Sequence, residues 1–336
     1  MSTKISRPSC IDVAKQAGVS QATVSRVFSP NAAKVSPKSR DKVMKAAAAL
    51  NYHPNIIARG LSKNSTSIIG VIVTRFENSF YTESIQYFTK YLQNAGYTAM
   101  VFNCDPDEME NTLPLAFQYQ VDGIIIASAS LSKALVAQCA AIGTPVVAYN
   151  RYSPVLPINA VGADNFRIGL NVAEYLCSLG HRRISFVGGN LERLPPVKDR
   201  LDGFVRGLEE NGRRLHSILY GGNQYQDGYT LAQKLLDVPE RPDALFCVNF
   251  QVAIGVIDAA RDLGLAVPDD VSVVGFYDHP LASSKSYNLT TVKLPVEKIA
   301  GAAVDILLGS IRNQTQEVIA RMFPGEIVKR GSVIAR

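Results

Sequence analysis

The sequence predicts an α/β protein, with a small three-helix helix-turn-helix domain at its amino terminus and a large core of parallel sheets behind it. Three observations carry that expectation. The first sixty or so residues hold short helical patterns broken by caps and a turn glycine. The rest alternates short β-branched runs with amphipathic helices. Charge divides at the same place: residues 1–64 hold eleven Lys and Arg against Asp12 and Asp41, a balance of +9, and the remainder carries −3. Such asymmetry suits a nucleic-acid-binding arm on a neutral body, although a solvated basic face gives the same count.

Composition removes several classes. A chain of 336 residues, 47% hydrophobic and 19% charged, is globular and long enough for two or three domains. Apolar runs such as Gly123–Ala127 fall far short of the ~20 residues of a membrane helix. Met1–Pro8 is polar, with no apolar stretch behind its basic residues, which argues against secretion. Cys10, Cys104, Cys139, Cys177 and Cys247 are scattered without a CxxC pair and read as reduced thiols of a cytoplasmic protein. The four histidines never stand at ligand spacing with them, so no metal site is expected. No dinucleotide fingerprint or Walker lysine motif is present, so no cofactor is expected, and Gly188-Gly189 reads as a strand-end turn.

In the amino-terminal part, Ile11–Ala17 is helical and ends at Gly18, which can take the positive φ of a tight turn. Ser20 is a good N-cap for a second helix, Gln21–Phe28. Ala14, Gly18 and Val24 have the spacing of a helix-turn-helix: a small residue at the crossing, a turn glycine, an apolar residue in the angle. Val19 and Val27 complete that angle. A third helix, Pro37–Leu50, starts with Ser36 as cap and Pro37 at the first position, and its Val43, Ala47 and Leu50 close the core. On the second helix, Arg26 suits bidentate bonding to guanine, Gln21 suits adenine and Ala22 suits a thymine methyl. The hydroxyls of Ser20, Thr23 and Ser25, with Asn31, suit phosphates, which position without specifying.

Asp-Val-Ala (12–14), Ala-Gly-Val-Ser (17–20), Thr-Val-Ser-Arg-Val (23–27), Asn-Tyr-His-Pro-Asn (51–55) and Ala-Arg-Gly-Leu (58–61) stand in the order and spacing of the lactose-repressor (LacI) family, which the chain resembles from end to end. The resemblance implies that Gln21, Ala22 and Arg26 are base readers. It also makes Asn55–Ser62 a hinge helix that orders on the operator, with Asn55, Ala58 and Arg59 at the DNA and Leu61 wedged into a minor-groove step. Such a wedge unstacks bases at a cost of a few kcal/mol, offset by the contacts that bending permits. Gly60 beside Leu61 weakens the isolated helix, in keeping with folding on binding.

Strands are expected at Ile68–Val73, Thr98–Asn103, Gly123–Ala127, Pro145–Tyr149, Ile184–Gly188, Ile218–Tyr220, Ala244–Val248 and Val271–Phe276. Helices such as Ser79–Ala95, Arg167–Leu179, Val197–Asn211 and Val252–Leu263 lie between them. This is a doubly wound plan in two subdomains, with ligands expected outside the carboxyl ends of the strands. The body resembles the type I periplasmic-binding-protein fold that the LacI family carries, on the stretches Asn78–Tyr81, Val161–Asn165, Gly180–Ile184 and Asp199–Phe204. The implied bounds are 1–54 for the DNA-binding domain, 55–64 for the hinge and 65–336 for the core. The core's subdomains would be about 65–164 plus 294–323, and 165–293 plus 324–336.

Carried over by position, Phe80, Tyr81, Asn150, Arg151, Arg200, Asn249, Tyr277 and Asp278 would line or flank an effector cleft. Arg200 is the strongest candidate, since a guanidinium can clamp a hydroxyl pair or a carboxylate. His181, after a helix-ending glycine, reads as structural. Two positions depart from the family. Asn249-Phe250 stands where Asn-Asp is usual after the strand ending at Val248, and Tyr277-Asp278 where Asp-Asp usually follows Val-Gly-Phe. Losing a carboxylate acceptor at Tyr277 weakens the case for a simple hexose and leaves room for a less hydroxyl-rich or acidic ligand.

The resemblance implies a repressor that reads a pseudo-palindromic operator in double-stranded DNA as a homodimer and answers to a small metabolite, a sugar or related compound. The chain ends without a heptad tail, which favours a dimer over a coil-built tetramer. Two other classes compete: a solute-binding protein for import, which the basic first domain argues against, and an enzyme, for which no nucleophile elbow or metal cluster is present.

Overall fold

The computed structural model of the chain describes residues 8–28, 34–53, 65–74, 76, 78–105, 108–128, 132–152, 157–189, 194–313 and 317–336. They fall into two compact units, Met1–Thr66 and Ser67–Arg336.

The first unit has three helices: α1 (Cys10–Ala17), α2 (Gln21–Val27) and α3 (Pro37–Ala49). Each starts on a serine. Ser9 accepts the Asp12 amide while the Asp12 carboxylate accepts the Ser9 amide, a reciprocal capping box. Ser20 and Ser36 cap α2 and α3, the latter with Pro37 at its first turn. Gly18 ends α1 at φ 65°, a left-handed turn that a side chain would strain. Val13, Ala14, Ala17, Val24, Val27, Val43, Ala46 and Ala47 form the core, with Val19 and Leu50 against it.

The second unit contains two sheets, each of six strands. In chain order its elements are β1 (Ile68–Val73), α4 (Ser79–Asn94), β2 (Thr98–Asn103), α5 (Met109–Gln118), β3 (Gly123–Ala127), α6 (Lys133–Ile142), β4 (Val146–Tyr149), β5 (Asn159–Ala163), α7 (Asn165–Ser178), β6 (Ile184–Val187), α8 (Pro195–Glu210), β7 (Ser217–Leu219), α9 (Tyr225–Leu236), β8 (Ala244–Cys247), α10 (Phe250–Asp262), β9 (Ser272–Phe276), β10 (Thr290–Lys293), α11 (Val296–Asn313), β11 (Ala320–Phe323) and β12 (Glu326–Val328). One sheet runs β11-β5-β4-β3-β1-β2, all parallel. The other runs β12-β10-β9-β8-β6-β7, parallel except for the antiparallel β10–β12 edge. The chain passes from one sheet to the other after β5, after β10 and after β11.

Four strands escaped the sequence pattern: β5, β10, β11 and β12. They are three to five residues long, and β11 and β12 are half-exposed edge strands with no continuous apolar run. Central strands β1 and β3 are buried at every position, as parallel strands covered on both faces must be. No described helix is long and apolar enough to cross a membrane.

Two features hold the second sheet's layers. Helices α7 and α8 cross on Gly169, Gly203 and Gly207, whose missing side chains let the backbones meet. At the amino ends of β6 and β8, the fully buried His181 ring joins the Asp243 carboxylate (3.2 Å) to the Ile334 carbonyl (3.0 Å). Asp243 also accepts the backbone amides of Arg182 and Arg183. Burial pushes the Asp243 carboxyl up, but the bonds from His181, Arg183 and Arg182 outweigh it and hold its pKa at about 2.

Candidate functional site

In the first unit, Gln21, Ala22, Ser25 and Arg26 are exposed together on α2, while Val24 and Val27 on the opposite side are buried. Positions i, i+1, i+4 and i+5 share one helical face, so the residues suited to base edges form one stripe. Ser20 and Thr23 are partly committed: the Ser20 hydroxyl accepts the Thr23 amide (3.2 Å) and pairs with the Thr23 hydroxyl (2.9 Å). Their first role is to start the helix. Asn31, Asn55, Ala58, Arg59 and Leu61 lie outside the described residues.

In the second unit, a cleft enclosing roughly 830 Å³ of atom-free space, part of it open to solvent, lies between the two sheets at the carboxyl ends of their strands. The first sheet's side contributes the start of α4 (Asn78, Ser79, Phe80, Tyr81) and Asn150 after β4. The second contributes Val197 and Arg200 from α8, Asn249, Phe250 and Gln251 at the start of α10, Phe276 at the end of β9, and Tyr277 and His279 after it. Asn78 and Asn249 spend their side-chain oxygens capping α4 and α10.

Arg200 is 5% exposed. It donates to the Val248 carbonyl (2.6 Å) and the Asn165 side-chain oxygen (2.7 Å) and lies flat over the Phe276 ring, 3.2 Å from its centroid. Burial pulls its pKa down to about 9, with Asp199 opposing. The Asn150 amide reaches the Tyr81 hydroxyl at 3.4 Å. Phe250 stacks on His279 at 4.5 Å and 21°. Tyr277, at φ 76°, is strained for a bulky residue. Its ring meets Phe80 edge-on, and its hydroxyl donates to the Glu83 carboxylate (2.5 Å) and lies 3.2 Å from the Ser79 carbonyl. Burial and that bond push the Tyr277 phenol up.

The cleft thus gathers Phe80, Tyr81, Asn150, Arg200, Asn249 and Tyr277, but neither Arg151 nor Asp278 lines it. Asp278 follows Tyr277 in the chain, where the left-handed backbone of Tyr277 breaks the strand alternation. Its carboxylate faces Arg330 instead, as a two-point pair at 2.8 and 3.1 Å. Arg151, next to Asn150 at φ 59°, is half-buried near Asp199. Sequence reasoning missed Phe250 and His279 as wall residues. Phe250 carried a signal, since it stood out from its family; His279 had none.

The hydroxyl of Tyr277 ties the two sides of the cleft together. Tyr277→Phe keeps the ring and deletes that bond, and should cost about 1–2 kcal/mol in denaturant unfolding and speed amide exchange at the start of α4. Unchanged exchange there would remove the tie.

The lacI family of bacterial regulatory proteins matches residues 10–55, and a periplasmic binding protein-like domain matches residues 173–333. Over 96% of its length the chain is 32% identical to catabolite control protein A of Priestia megaterium, covering 98% of that protein. It is also 32% identical to the HTH-type transcriptional repressor CytR of Escherichia coli K12, covering 96% of each. Among solved structures, the lac repressor dimer bound to operator and the anti-inducer ONPF superposes with a TM-score of 0.88 at 27% identity, over 98% of this chain and 100% of that one.

Proposed function

Because the chain belongs to the LacI family of bacterial regulatory proteins, we infer that its α2 stripe reads operator DNA and that its inter-sheet cleft takes the small molecule controlling that reading. It is a sequence-specific DNA-binding transcriptional regulator of the repressor type, working as a dimer on a pseudo-palindromic operator, one half-site to each subunit. The observation that carries this reading is the exposed run of Gln21, Ala22, Ser25 and Arg26 on a serine-capped helix of a basic three-helix unit.

In this reading Arg26, Gln21 and Ala22 meet base edges, while Ser20, Thr23, Ser25 and Asn31 meet phosphates. Asn55, Ala58, Arg59 and Leu61 would act at the minor groove. An effector that prefers one arrangement of the two sheets shifts its population and changes operator affinity by the same coupling free energy that the operator exerts on it. The cleft is read as a binding site and not as a catalytic one, and the regulator as cytoplasmic, working without a cofactor or metal beyond its effector.

Arg26→Ala tests the readers. On the cognate site it should cost about 1–3 kcal/mol and relax the preference at one base pair of each half-site, measured by gel shift over single-base variants of the operator. An equal loss on every sequence would reassign Arg26 to phosphate.

A further inference from the structure

We propose that the effector is a small planar carboxylate, an aromatic or heteroaromatic acid whose carboxylate meets Arg200 and whose ring lies between the aromatic walls of the cleft. This rests on reading the cleft as the effector site and adds the chemical class of what enters it.

The first observation is charge. The residues lining the cleft include one permanent cation, Arg200, but no Asp or Glu. The acids nearby are turned to other tasks: Glu83 takes the Tyr277 hydroxyl and Asp278 pairs with Arg330. Asp199, exposed on α8, acts on Arg200 only through its field, and no carboxylate among the described residues comes within ion-pairing distance of Arg200. A buried cation without a counter-charge is costly, and a ligand carboxylate supplies the missing charge.

The second observation is hydrogen-bonding capacity. A guanidinium has five N–H donors. Arg200 commits donors on its two terminal nitrogens to Val248 and Asn165, and its Nε has no partner among the described residues. At His279, the Leu281 amide donates to Nδ1 (3.2 Å), so the neutral ring carries its proton on Nε2 and is a donor there. Burial lowers the pKa of that ring, favouring its neutral form. The side-chain oxygens of Asn78 and Asn249 are already engaged as helix caps. Asn150, Asn223 and Gln251 offer neutral amide donors and acceptors alike, so among the lining groups the charged donor is Arg200 and no charged acceptor faces it. A polyhydroxylated neutral ligand presents donors that need acceptors, and a carboxylate presents acceptors only.

The third observation is shape. Tyr81 stands on one side of the cleft and the Phe250–His279 stack on the other, while Phe80, stacked on Tyr149, meets Tyr277 edge-on and closes one end. Flat faces suit a flat ring, which stacks on aromatics at low conformational cost.

The test is calorimetric titration and thermal melting of the full chain with benzoate, 4-hydroxybenzoate, nicotinate and indole-2-carboxylate. Benzamide serves as the neutral match, cyclohexanecarboxylate as the non-planar match, and D-ribose and D-glucose as sugars. At least one aromatic acid should raise Tm and bind at least tenfold more tightly than benzamide or cyclohexanecarboxylate. Arg200→Gln should abolish the preference for acid over amide. Phe250→Asp, which puts a carboxylate on the wall and removes a ring, should weaken acid binding at least tenfold while a cooperative melt shows that the core is folded. No stabilisation by any acid, or equal binding of benzamide, overturns the proposal. Stabilisation by a sugar alone overturns the ligand class and leaves the cleft as an effector site. Failure of the wild-type chain to bind any DNA sequence preferentially would instead overturn the regulator reading.

Discussion

Gly203→Ala should cost at least about 3 kcal/mol in urea unfolding, more than an ordinary added methyl group, for which overpacking costs about 1–3 kcal/mol. A Cβ on Gly203 would land on the Phe166 carbonyl and one on Gly169 on the Arg200 carbonyl, well inside van der Waals contact in both cases. What must move is backbone, so relaxation requires α7 and α8 to separate along their length. The gain in helix propensity from Gly to Ala, about 1 kcal/mol, does not offset this. Gly309→Ala on α11, where a Cβ meets nothing within 4 Å, is the control and should be neutral or slightly stabilising. If the two substitutions behave alike, the close crossing of α7 and α8 is wrong. Gly169→Ala carries a further consequence, because it pushes on the turn of α8 that holds Arg200.

Asp243→Ala should cost about 3 kcal/mol or more, since each buried polar group left unsatisfied costs about 1–3 kcal/mol. It strands the fully buried His181 ring and the amides of Arg182 and Arg183. The same carboxylate gives a pH signature. Its folded pKa, about 2, lies below the ordinary 3.8. A depressed carboxylate stabilises the fold above its unfolded pKa and loses that contribution as pH falls through its folded value. About 2 kcal/mol should therefore disappear between roughly pH 4 and pH 2. The variant should lack this component of the acid limb. An identical acid limb in both proteins would show that the depressed pKa is not present.

What the sequence revealed, and what it hid, follow from how local each signal is. Caps and turn residues act within three or four positions, so Ser20, Ser36, Pro37 and Gly18 announced α2, α3 and the turn between α1 and α2. Buried parallel strands such as Ile68–Val73 announced themselves by continuous apolar runs. Strands β10 to β12 did not, because they are only three or four residues long with no continuous apolar run, and β11 pairs with β5, far back in the chain. The cleft was legible where a single residue type carries the chemistry, as at Arg200. It was not legible where orientation decides. Tyr277 and Asp278 are neighbours, yet one faces the cleft and the other faces Arg330. His279 joined the wall only through its stack with Phe250, 29 residues earlier in the sequence.

The most direct test of the central claim, that α2 reads operator DNA as half of a dimeric regulator, is selection of bound sequences from a random DNA pool by the full chain at fixed salt. One pseudo-palindromic sequence should be enriched, and repeating the selection with Arg26→Ala should erase the preference at one base pair in each half. A bound pool with no enriched sequence, held by an affinity that depends on salt but not on bases, would contradict it.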